Sequence, residues 1–493
     1  MINSKSMNKA GIIILLMLPI ALLSQTFEEF KAKQKKGVQQ IQQDMNAWIS
    51  QRDKEFENFL KTEWGDFNGV THSELMIEPK PVKPPEFNSS HAPEKRVIQF
   101  VKPMRKNNIP DPLLSKDIDT VNMIINKDLS DIVIDEIEEV TFYGVQLMLP
   151  DLNGICPCKI DEVKRSDLSN WWKEMATTNY KPILKSALKY KDRLNLNDWG
   201  YLKLLRFIAA QCSTSRTCQE LFVWFYMNKS GYDVRVAFSG NNFSLLVPIK
   251  QDLYGLTYQE INGSNYYVLN DLKSDNFKTY KKGHSRARKI LDLDLLTPMQ
   301  LGHDIKTRNQ SLIFNLKTYL FSLDYNPNWV EFFKDYPQGE LDMYFNAIAS
   351  DEYKASLKKN FSEKLLQLNK EDAINFILRY VQYGFEYKTD DEQFGYEKFF
   401  FPEETLAYPF ADCEDRAIYF SYLIRYLLNI NVVGLQYPGH ISTAVQFNGS
   451  INGSSLNFKG DQYYMADPTY IGASLGGEMY EYVNKKPQII IVN

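Results

Sequence analysis

The 493-residue chain has few histidines and few cysteines, and each scarcity excludes a class of protein. There are only five of each. Cys156 and Cys158 are separated by a single residue and have no histidine nearby, so they do not have the spacing of a structural zinc site. A net charge of -4 and a pI near 5.9 give no basic surface for nucleic acid. We therefore expect no metal and no nucleic-acid partner.

Long apolar runs are also missing after the first 25 residues. Those residues resemble an export signal, because Lys5 and Lys9 precede an apolar run over 10–23 and Ser24-Gln25 follows it. As a helix this run would span about 21 Å, less than the roughly 30 Å hydrocarbon core of a bilayer. We predict a signal peptide over 1–25, no transmembrane segment after its removal, and a periplasmic or secreted protein. An uncleaved N-terminal anchor is the alternative.

The cysteine count predicts one free thiol. Four cysteines lie in the first half of the chain and can form two disulfides in an oxidising compartment, with Cys218 joined to Cys212 or to another thiol. Cys413 lies far from these four in sequence. It is therefore the natural candidate for the unpaired thiol.

Composition divides the rest of the chain into segments. Apolar residues recur at three- and four-residue spacings over 26–65, which predicts an amphipathic helix that packs on the same chain or mediates self-association. Eight prolines over 66–112 predict an extended linker. Two mixed segments follow, 113–290 and 346–493, joined by a β-rich connection over 291–345. Helical patterns over 171–210, 353–383 and 413–428, with strands at 140–149, 232–247, 266–269, 432–437, 441–447 and 462–466, predict an α+β fold.

Three residues in the last segment have the chemistry of a nucleophilic triad. Cys413 lies where a loop enters a helix, and the positive end of the helix dipole favours its thiolate. His440 follows Pro438-Gly439 and opens a strand, and Asp467 ends a neighbouring strand. A thiol nucleophile needs an imidazole to accept its proton and a third group to orient that imidazole. The interval from Cys413 to His440 and that from His440 to Asp467 are both 27 residues, which suits helix–turn–strand and strand–turn–strand connections.

Three sequence strings resemble the transglutaminase-like superfamily, whose members share a papain-like cysteine core. They are ADCEDRA at 411–417, PGHISTAV at 438–445 and YYMADPTY at 463–470, in the superfamily's order of Cys, His and Asp. The resemblance covers about the last 150 residues. It implies an acyl-enzyme mechanism on an amide with Cys413, His440 and Asp467 as catalytic residues. It also implies an oxyanion-hole partner before the cysteine, for which Gln382 and Tyr387 are candidates.

The first half of the chain contains a weaker copy of the same pattern. Residues 218–220 match 413–415, residues 239–247 match 437–445, and residues 265–270 match 462–467, at offsets of 195, 198 and 197. Cys218, Asn242 and Asn270 then correspond to the triad positions. Asparagine is not a general base near neutral pH, so we expect a degenerate domain that lacks the chemistry. Two unrelated α+β segments are the alternative.

These observations predict an exported cysteine-dependent amide hydrolase or acyltransferase, most simply a protease, acting on a protein or peptide without a cofactor. The alternative is a catalytically silent binding or scaffolding protein of the cell envelope. The aromatic loop over 394–402 either borders the cleft and selects the substrate or packs in the core.

Overall fold

The computed structural model describes residues 20–62, 64–71, 84–87, 95–102, 115–153, 155, 158, 160, 164–239, 242–269, 276–280 and 282–492. Most of the predicted signal peptide, much of the predicted linker, Cys156 and Asn270 lie outside these residues. Within the described part, helices and mostly antiparallel sheets make an α+β structure, as the sequence predicts. No described helix combines the length and the apolarity that crossing a membrane requires.

The first element is the helix α1 (Ile20–Leu60). Its C-terminal half packs on the body of the chain, where Ile49, Phe56 and Leu60 are buried. The side chains described over 29–44 are exposed. The apolar stripe of the second half therefore packs on the same chain, the first of the two alternatives.

The described parts of the predicted linker are not free of structure. They form β1 (Gly65–Asn68), β2 (Val70–Thr71) and β3 (Arg96–Val97), and each pairs with the edge of a larger sheet. The helix α2 (Ser115–Leu129) follows. Edge pairing uses the backbone, so this polar, proline-rich sequence attaches to both halves of the molecule without a core of its own.

The strand predicted over 140–149 is two strands, because a turn divides this segment into a hairpin. Its strands are β4 (Glu136–Phe142) and β5 (Val145–Pro150). Tyr143 and Gly144 turn the chain with φ of 42° and 76°, a conformation that glycine adopts without strain. Side chains around this turn leave no room for a larger residue, since a Cβ at Gly144 would lie 2.7 Å from Nδ2 of Asn328.

After α2 and the β4–β5 hairpin, the described part of the first half contains four more helices and five more strands. The helices are α3 (Arg165–Thr177), α4 (Lys181–Arg193), α5 (Asp198–Cys212) and α6 (Arg216–Lys229). The strands are β6 (Arg235–Ser239), β7 (Asn242–Pro248), β8 (Thr257–Ile261), β9 (Ser264–Leu269) and β10 (Asn276–Thr279), in a sheet of order β1-β10-β6-β7-β9-β8-β2. The single helix predicted over 171–210 is three helices, because Pro182 starts α4 and the Asn197 side chain caps α5.

A hairpin and two short helices connect the halves. They are β11 (Lys306–Phe314) and β12 (Lys317–Tyr325), followed by α7 (Pro327–Phe333) and α8 (Leu341–Phe345). The hairpin packs on the helices of the second half, where Phe321 lies among Phe361, Phe376 and Tyr380. The connection is therefore partly helical. Its hairpin joins the core of the second half, whereas α7 and α8 pack in the core of the first half.

The second half has the same kinds of element. Its helices are α9 (Asp351–Leu365), α10 (Lys370–Gly384), α11 (Asp390–Gln393) and α12 (Cys413–Leu423), the last extended by a π-helical turn over Ile424–Leu428. Its strands are β13 (Val432–Tyr437), β14 (His440–Gln446), β15 (Ser454–Phe458), β16 (Asp461–Met465) and β17 (Gln488–Ile490). The sheet order is β17-β13-β14-β16-β15-β3.

Strand order and register repeat between the halves. The order β10-β6-β7-β9-β8 in the first sheet corresponds to β17-β13-β14-β16-β15 in the second. Ser239 pairs with Asn242 as Tyr437 pairs with His440, so both partners shift by 198 (437 − 239 and 440 − 242). The next strand pair also repeats, at offsets of 198 and 197. The same offsets came from the sequence matches, which favours two related segments over chance likeness.

The described disulfide joins Cys158 to Cys218, with Cα atoms 5.7 Å apart. Cys212 is disulfide-bonded as well. A Cys212–Cys218 pair, one of the predicted options, is therefore wrong. Cys413 forms no disulfide in the described part of the chain. The sulfur of Cys218 is consumed in a covalent bond and has no thiolate with which to act as a nucleophile.

Candidate active site

Cys413 is the first residue of α12 and is completely buried. Asp412 is the N-cap residue, and α12 packs against the strands β13 and β14. The Cys413 thiol donates a hydrogen bond to Oε2 of Glu414, with the two atoms 3.0 Å apart. The helix thus brings the sulfur to the sheet that carries His440, with its proton directed to a neighbouring carboxylate.

His440 is the first residue of β14, and it follows a tight turn from β13. Gly439 has φ of 71°, which allows the chain to reverse within two residues. Nε2 of the buried His440 ring lies 2.8 Å from Oδ2 of Asp467. An ionised carboxylate only accepts, so this hydrogen bond assigns a proton to Nε2, and Nδ1 is the ring nitrogen that faces away from Asp467. Within the described chain, Nδ1 is buried and has no hydrogen-bond partner.

Asp467 is held rigidly after the end of β16. Its Oδ1 accepts hydrogen bonds from the backbone N–H groups of Thr469 and Tyr470, at 2.9 and 3.2 Å. The carboxylate therefore presents Oδ2 to His440 while the turn after β16 fixes its other oxygen. This is the arrangement by which a triad acid sets the tautomer and the orientation of an imidazole.

Gln382, one of the two oxyanion-hole candidates, is already fully bonded. Its Nε2 donates to the carbonyl oxygens of Asp467, Tyr470 and Ala473 at 3.0, 2.8 and 3.0 Å. Its Oε1 accepts from the Gly472 backbone at 3.2 Å. With both amide protons committed to these carbonyls, the assignment of Gln382 as an oxyanion donor is wrong. It instead positions the loop that carries Asp467.

Tyr387, the other candidate, lies half-buried against a charged side chain that the sequence did not single out. The Arg416 guanidinium carbon is 5.4 Å from the centre of the Tyr387 ring. Arg416 itself is buried and donates to the carbonyl oxygens of Ala411, Gln382 and Phe385 at 2.8 to 3.1 Å. Burial lowers its pKa to about 10. These bonds fix the chain on both sides of the aromatic loop relative to α12.

Four buried carboxylates surround the start of α12. Oxygens of Asp390, Asp412 and Glu414 lie within 4.8 Å of one another, a spacing and donor type that suit a hard divalent cation. Asp415 is buried beside them and accepts from the Phe400 N–H at 2.8 Å. Burial, followed by the charges of Asp412, Asp390 and Glu414, raises the pKa of Asp415 well above its usual range. The acids flanking the sulfur are thus part of the interior.

Aromatic rings close the site above the imidazole. The Tyr482 ring stacks on His440 with centroids 4.9 Å apart and planes at 28°. Tyr437 lies 6.4 Å from the same ring and contacts Tyr482 at 4.9 Å. Cys413, His440 and Asp467 expose at most 1% of their surface. The structure is a closed form in which the C-terminal segment covers the histidine.

The aromatic loop packs mainly in the core. Phe399, Phe400 and Phe401 are buried, and Phe401 stacks on Phe333 at 4.1 Å. Tyr396 is 51% exposed. The core-packing alternative therefore describes 399–401, while Tyr396 is available at the surface.

The counterparts in the first half do not form a second triad among the described residues. Cys218 is in a disulfide, and Asn242 opens β7 at the position that His440 takes in β14. Asn270 lies outside the described residues. The sequence predicts that this copy lacks the chemistry. The disulfide at Cys218, which leaves that residue without a thiol, is consistent with the prediction.

The structure thus joins two of the three predicted triad residues directly. His440 and Asp467 share a hydrogen bond, whereas the Cys413 proton goes to Glu414 and not to Nδ1 of His440. The sequence already predicted that the acids flanking Cys413, Glu414 among them, would disfavour its thiolate. It gave no indication of the roles of Arg416 and Tyr482. Arg416 lies inside the ADCEDRA string, where only the burial of the helix start could have indicated a role. Comparisons with known protein families, curated proteins and solved structures gave no match.

Proposed function

We propose that this chain is an exported cysteine enzyme that cleaves or transfers at an amide bond through Cys413, His440 and Asp467. Its second half would be a transglutaminase-like module of papain-like type, and its first half a degenerate copy. Proteolysis of a protein or peptide is the simplest form of this activity. The resemblance of three ordered strings to the superfamily supplies the reaction class.

The observation that carries the proposal is the buried imidazole with one nitrogen bonded and one open. Asp467 holds Nε2 of His440 at 2.8 Å, and Nδ1 is buried without a partner in the described chain. An unsatisfied buried polar atom costs stability and calls for an explanation. A nitrogen reserved for the proton of a nucleophile provides one.

In the proposed reaction, Cys413 and His440 act first in acylation and again in deacylation. Nδ1 of His440 removes the Cys413 proton, and the thiolate sulfur bonds to the carbonyl carbon of the substrate. When the carbon–nitrogen bond breaks, the imidazolium gives its proton to the departing amine. Water or a second amine then attacks the thioester while His440 takes its proton, and the acyl group leaves as the proton returns to sulfur.

The start of α12 suits the charge that develops in this reaction. The first N–H groups of a helix have no partner within the helix, and they favour negative charge. Those near Cys413 are therefore suitable donors to a substrate oxyanion. Tyr387, held beside Arg416, remains the side-chain candidate for the same role.

The resting arrangement differs from a working one in two respects. The thiol is turned to Glu414, and Tyr482 covers His440. A working enzyme must turn the sulfur towards Nδ1 and displace the ring that covers the imidazole. The same two contacts favour the competing function, a silent binding or scaffolding protein of the cell envelope.

Export is supported by the cysteines. Cys158–Cys218 is a structural disulfide, and Cys212 is disulfide-bonded as well. Disulfides persist in secreted and periplasmic proteins and are rare where thiols are kept reduced. The remaining thiol, at Cys413, is the one that the proposed chemistry requires.

The test is the rate at which Cys413 reacts with iodoacetamide between pH 5 and 9, followed by mass spectrometry of the unreduced protein. We expect rapid alkylation at pH 6 to 7 that His440→Gln slows at least tenfold. His303→Gln is the matched control, because His303 is exposed and contacts only Glu352 among the described side chains. If alkylation follows the titration of an ordinary thiol in both variants, the enzymatic function is excluded and the scaffolding function remains.

A second measurement separates hydrolysis from transfer. The full chain is incubated with an unfolded protein substrate in the presence and absence of a fluorescent primary amine. New peptide termini indicate hydrolysis, whereas amine incorporated into the substrate indicates transfer. Both products must disappear in Cys413→Ser.

A further inference from the structure

The first half of the chain has a cavity near the C-terminal end of β7. Asn242, which corresponds to His440, lies at the opposite end of this strand. The cavity has a volume of about 690 Å³, within the range of small-molecule sites in proteins. It lies between α2, α4, the end of β7 and the chain segment around 289–292. Aliphatic side chains form much of its wall, namely Ile118, Ile125, Leu188, Ile249 and Ile290.

Two of the three lysines on the wall are neutralised by carboxylates. Lys191 lies 2.6 Å from Asp198, and the Tyr232 hydroxyl lies 2.5 Å from the same carboxylate oxygen. Lys250 lies 2.7 Å from Asp292 at the more exposed side. These two ion pairs fix the polar part of the wall. They involve only two of the three lysines that line it.

Lys289 is the third lysine. Its ammonium donates to the carbonyl oxygen of Ser230 at 3.0 Å and lies 5.1 Å from the Tyr232 ring centre. Among the described residues, no carboxylate lies within ion-pair distance of it. Burial, and then the charge of Lys191, lowers the pKa of Lys289 to about 8. An ammonium with spare donors beside the aliphatic part of a cavity wall is a site for an anionic group.

The wall also limits the charge of the ligand. Three lysines (Lys191, Lys250 and Lys289) and three aspartates (Asp192, Asp198 and Asp292) line the cavity, so their formal charges cancel. Asp198 and Asp292 are paired with lysines, so a dianionic phosphate would gain the Lys289 ammonium but would keep a second negative charge uncompensated in a cavity that Asp192 also lines. A monoanion with an apolar body matches both the single available cation and the aliphatic wall.

From this geometry we infer that the cavity binds an aliphatic monocarboxylate, with its carboxylate on Lys289 and its chain against the isoleucines of α2 and Ile249, which follows β7. This site is separate from Cys413 and does not depend on the proposed enzymatic function. It would give the degenerate half a binding role of its own.

Isothermal titration of the full chain with hexanoate at pH 7 tests the inference, with hexanamide and inorganic phosphate as comparison ligands. We expect hexanoate to bind at least tenfold more tightly than hexanamide. Lys289→Met should weaken hexanoate binding about tenfold, the usual loss of one charge-assisted hydrogen bond. Lys282→Met, an exposed lysine of the same segment, should have no effect.

Two further measurements guard against misfolding of the lysine variant. In the unmodified protein, hexanoate should protect Lys289 from reductive methylation while Lys282 continues to react. Ile118→Trp, which narrows the cavity without removing charge, should also weaken hexanoate. Equal binding of hexanoate and hexanamide, tighter binding of phosphate, or no protection of Lys289 would each overturn the inference.

Discussion

His440 and Asp467 form a buried pair in which Nε2 and Oδ2 lie 2.8 Å apart, although 27 residues separate them in the chain. Two backbone N–H groups fix the other oxygen of Asp467. The pair therefore has one defined proton position and one open imidazole nitrogen. The following predictions test what this pair and its surroundings do.

Asp467→Asn should preserve the fold and remove the function of the imidazole. The amide oxygen can still accept from Thr469 and Tyr470, but it cannot stabilise an imidazolium as a carboxylate does. Amide-cleaving activity should fall on the order of a thousandfold or more. The measurement is the turnover of peptide substrate, with Asp461→Asn, an exposed aspartate in β16, as the control. Equal activity in the two variants would contradict the triad.

Glu414→Gln should make Cys413 more reactive. The Glu414 carboxylate accepts the thiol proton at 3.0 Å, and a neighbouring negative charge disfavours the thiolate. Removing that charge should lower the pKa of the thiol and speed alkylation at pH 6 to 7 by about threefold to tenfold. Glu481→Gln, at an exposed position, is the control. Slower alkylation in Glu414→Gln would mean that the carboxylate helps to ionise the sulfur.

Tyr482→Leu should open the site to larger reagents. Its ring stacks on His440 at 4.9 Å and contributes to the complete burial of the imidazole. We expect the rate with a bulky maleimide to rise more than the rate with iodoacetamide, because the change acts on access. Tyr480→Leu in the same turn, where the ring is 70% exposed, should leave both rates unchanged. An unchanged rate ratio in Tyr482→Leu would exclude this ring as the cover.

Gln382→Leu should loosen the loop after Asp467. It removes donors to three carbonyl oxygens and leaves those buried acceptors unsatisfied, at a cost of about 2 to 3 kcal/mol in the free energy of unfolding. Activity should fall through kcat, since the substrate need not touch Gln382. Urea unfolding and steady-state kinetics are the measurements, and the exposed Gln367→Leu is the control. A change confined to KM would point instead to direct substrate contact.

Asp53→Asn should detach α1 from the body of the chain. Oδ1 of Asp53 lies 2.5 Å from the buried Lys229 ammonium and 3.5 Å from His284. Although burial opposes the change, Lys229 and His284 lower the Asp53 pKa from 3.8 to about 2. Because the folded pKa is lower, this stabilisation is present above about pH 4 and is lost as the pH falls towards 2.

At pH 7 the substitution should cost roughly 3 kcal/mol, since it leaves the Lys229 charge buried and unpaired. The difference from the unmodified protein should shrink near pH 2.5, where Asp53 begins to bind a proton. Urea unfolding followed by circular dichroism at both pH values measures this. Asp44→Asn, on the exposed part of α1, should change stability little at either pH.

Local sequence patterns predicted whether a segment is a helix or a strand better than they predicted where each element begins and ends. The period of apolar residues indicated helices over 171–210, but the breaks between α3, α4 and α5 depend on Pro182 and on the Asn197 cap. The run over 140–149 looked continuous because the turn at Tyr143-Gly144 interrupts an apolar sequence for only two residues. Side-chain periodicity reports which face is buried, and it is weak evidence on where the chain reverses.

The sequence by itself determined which residues we propose for the chemistry, and it indicated that the pattern occurs twice. Cys413, His440 and Asp467 stand out by residue type and order, and the repeat follows from matched strings whose offsets the strand registers share. Only the tertiary structure decided which neighbours each group has. The commitment of Gln382 to three carbonyls and the Tyr482 ring over His440 depend on packing between distant segments, whereas the Glu414 contact to the thiol joins two adjacent residues. Hydrogen-bond partners and burial are properties of that packing, so no local spacing encodes them.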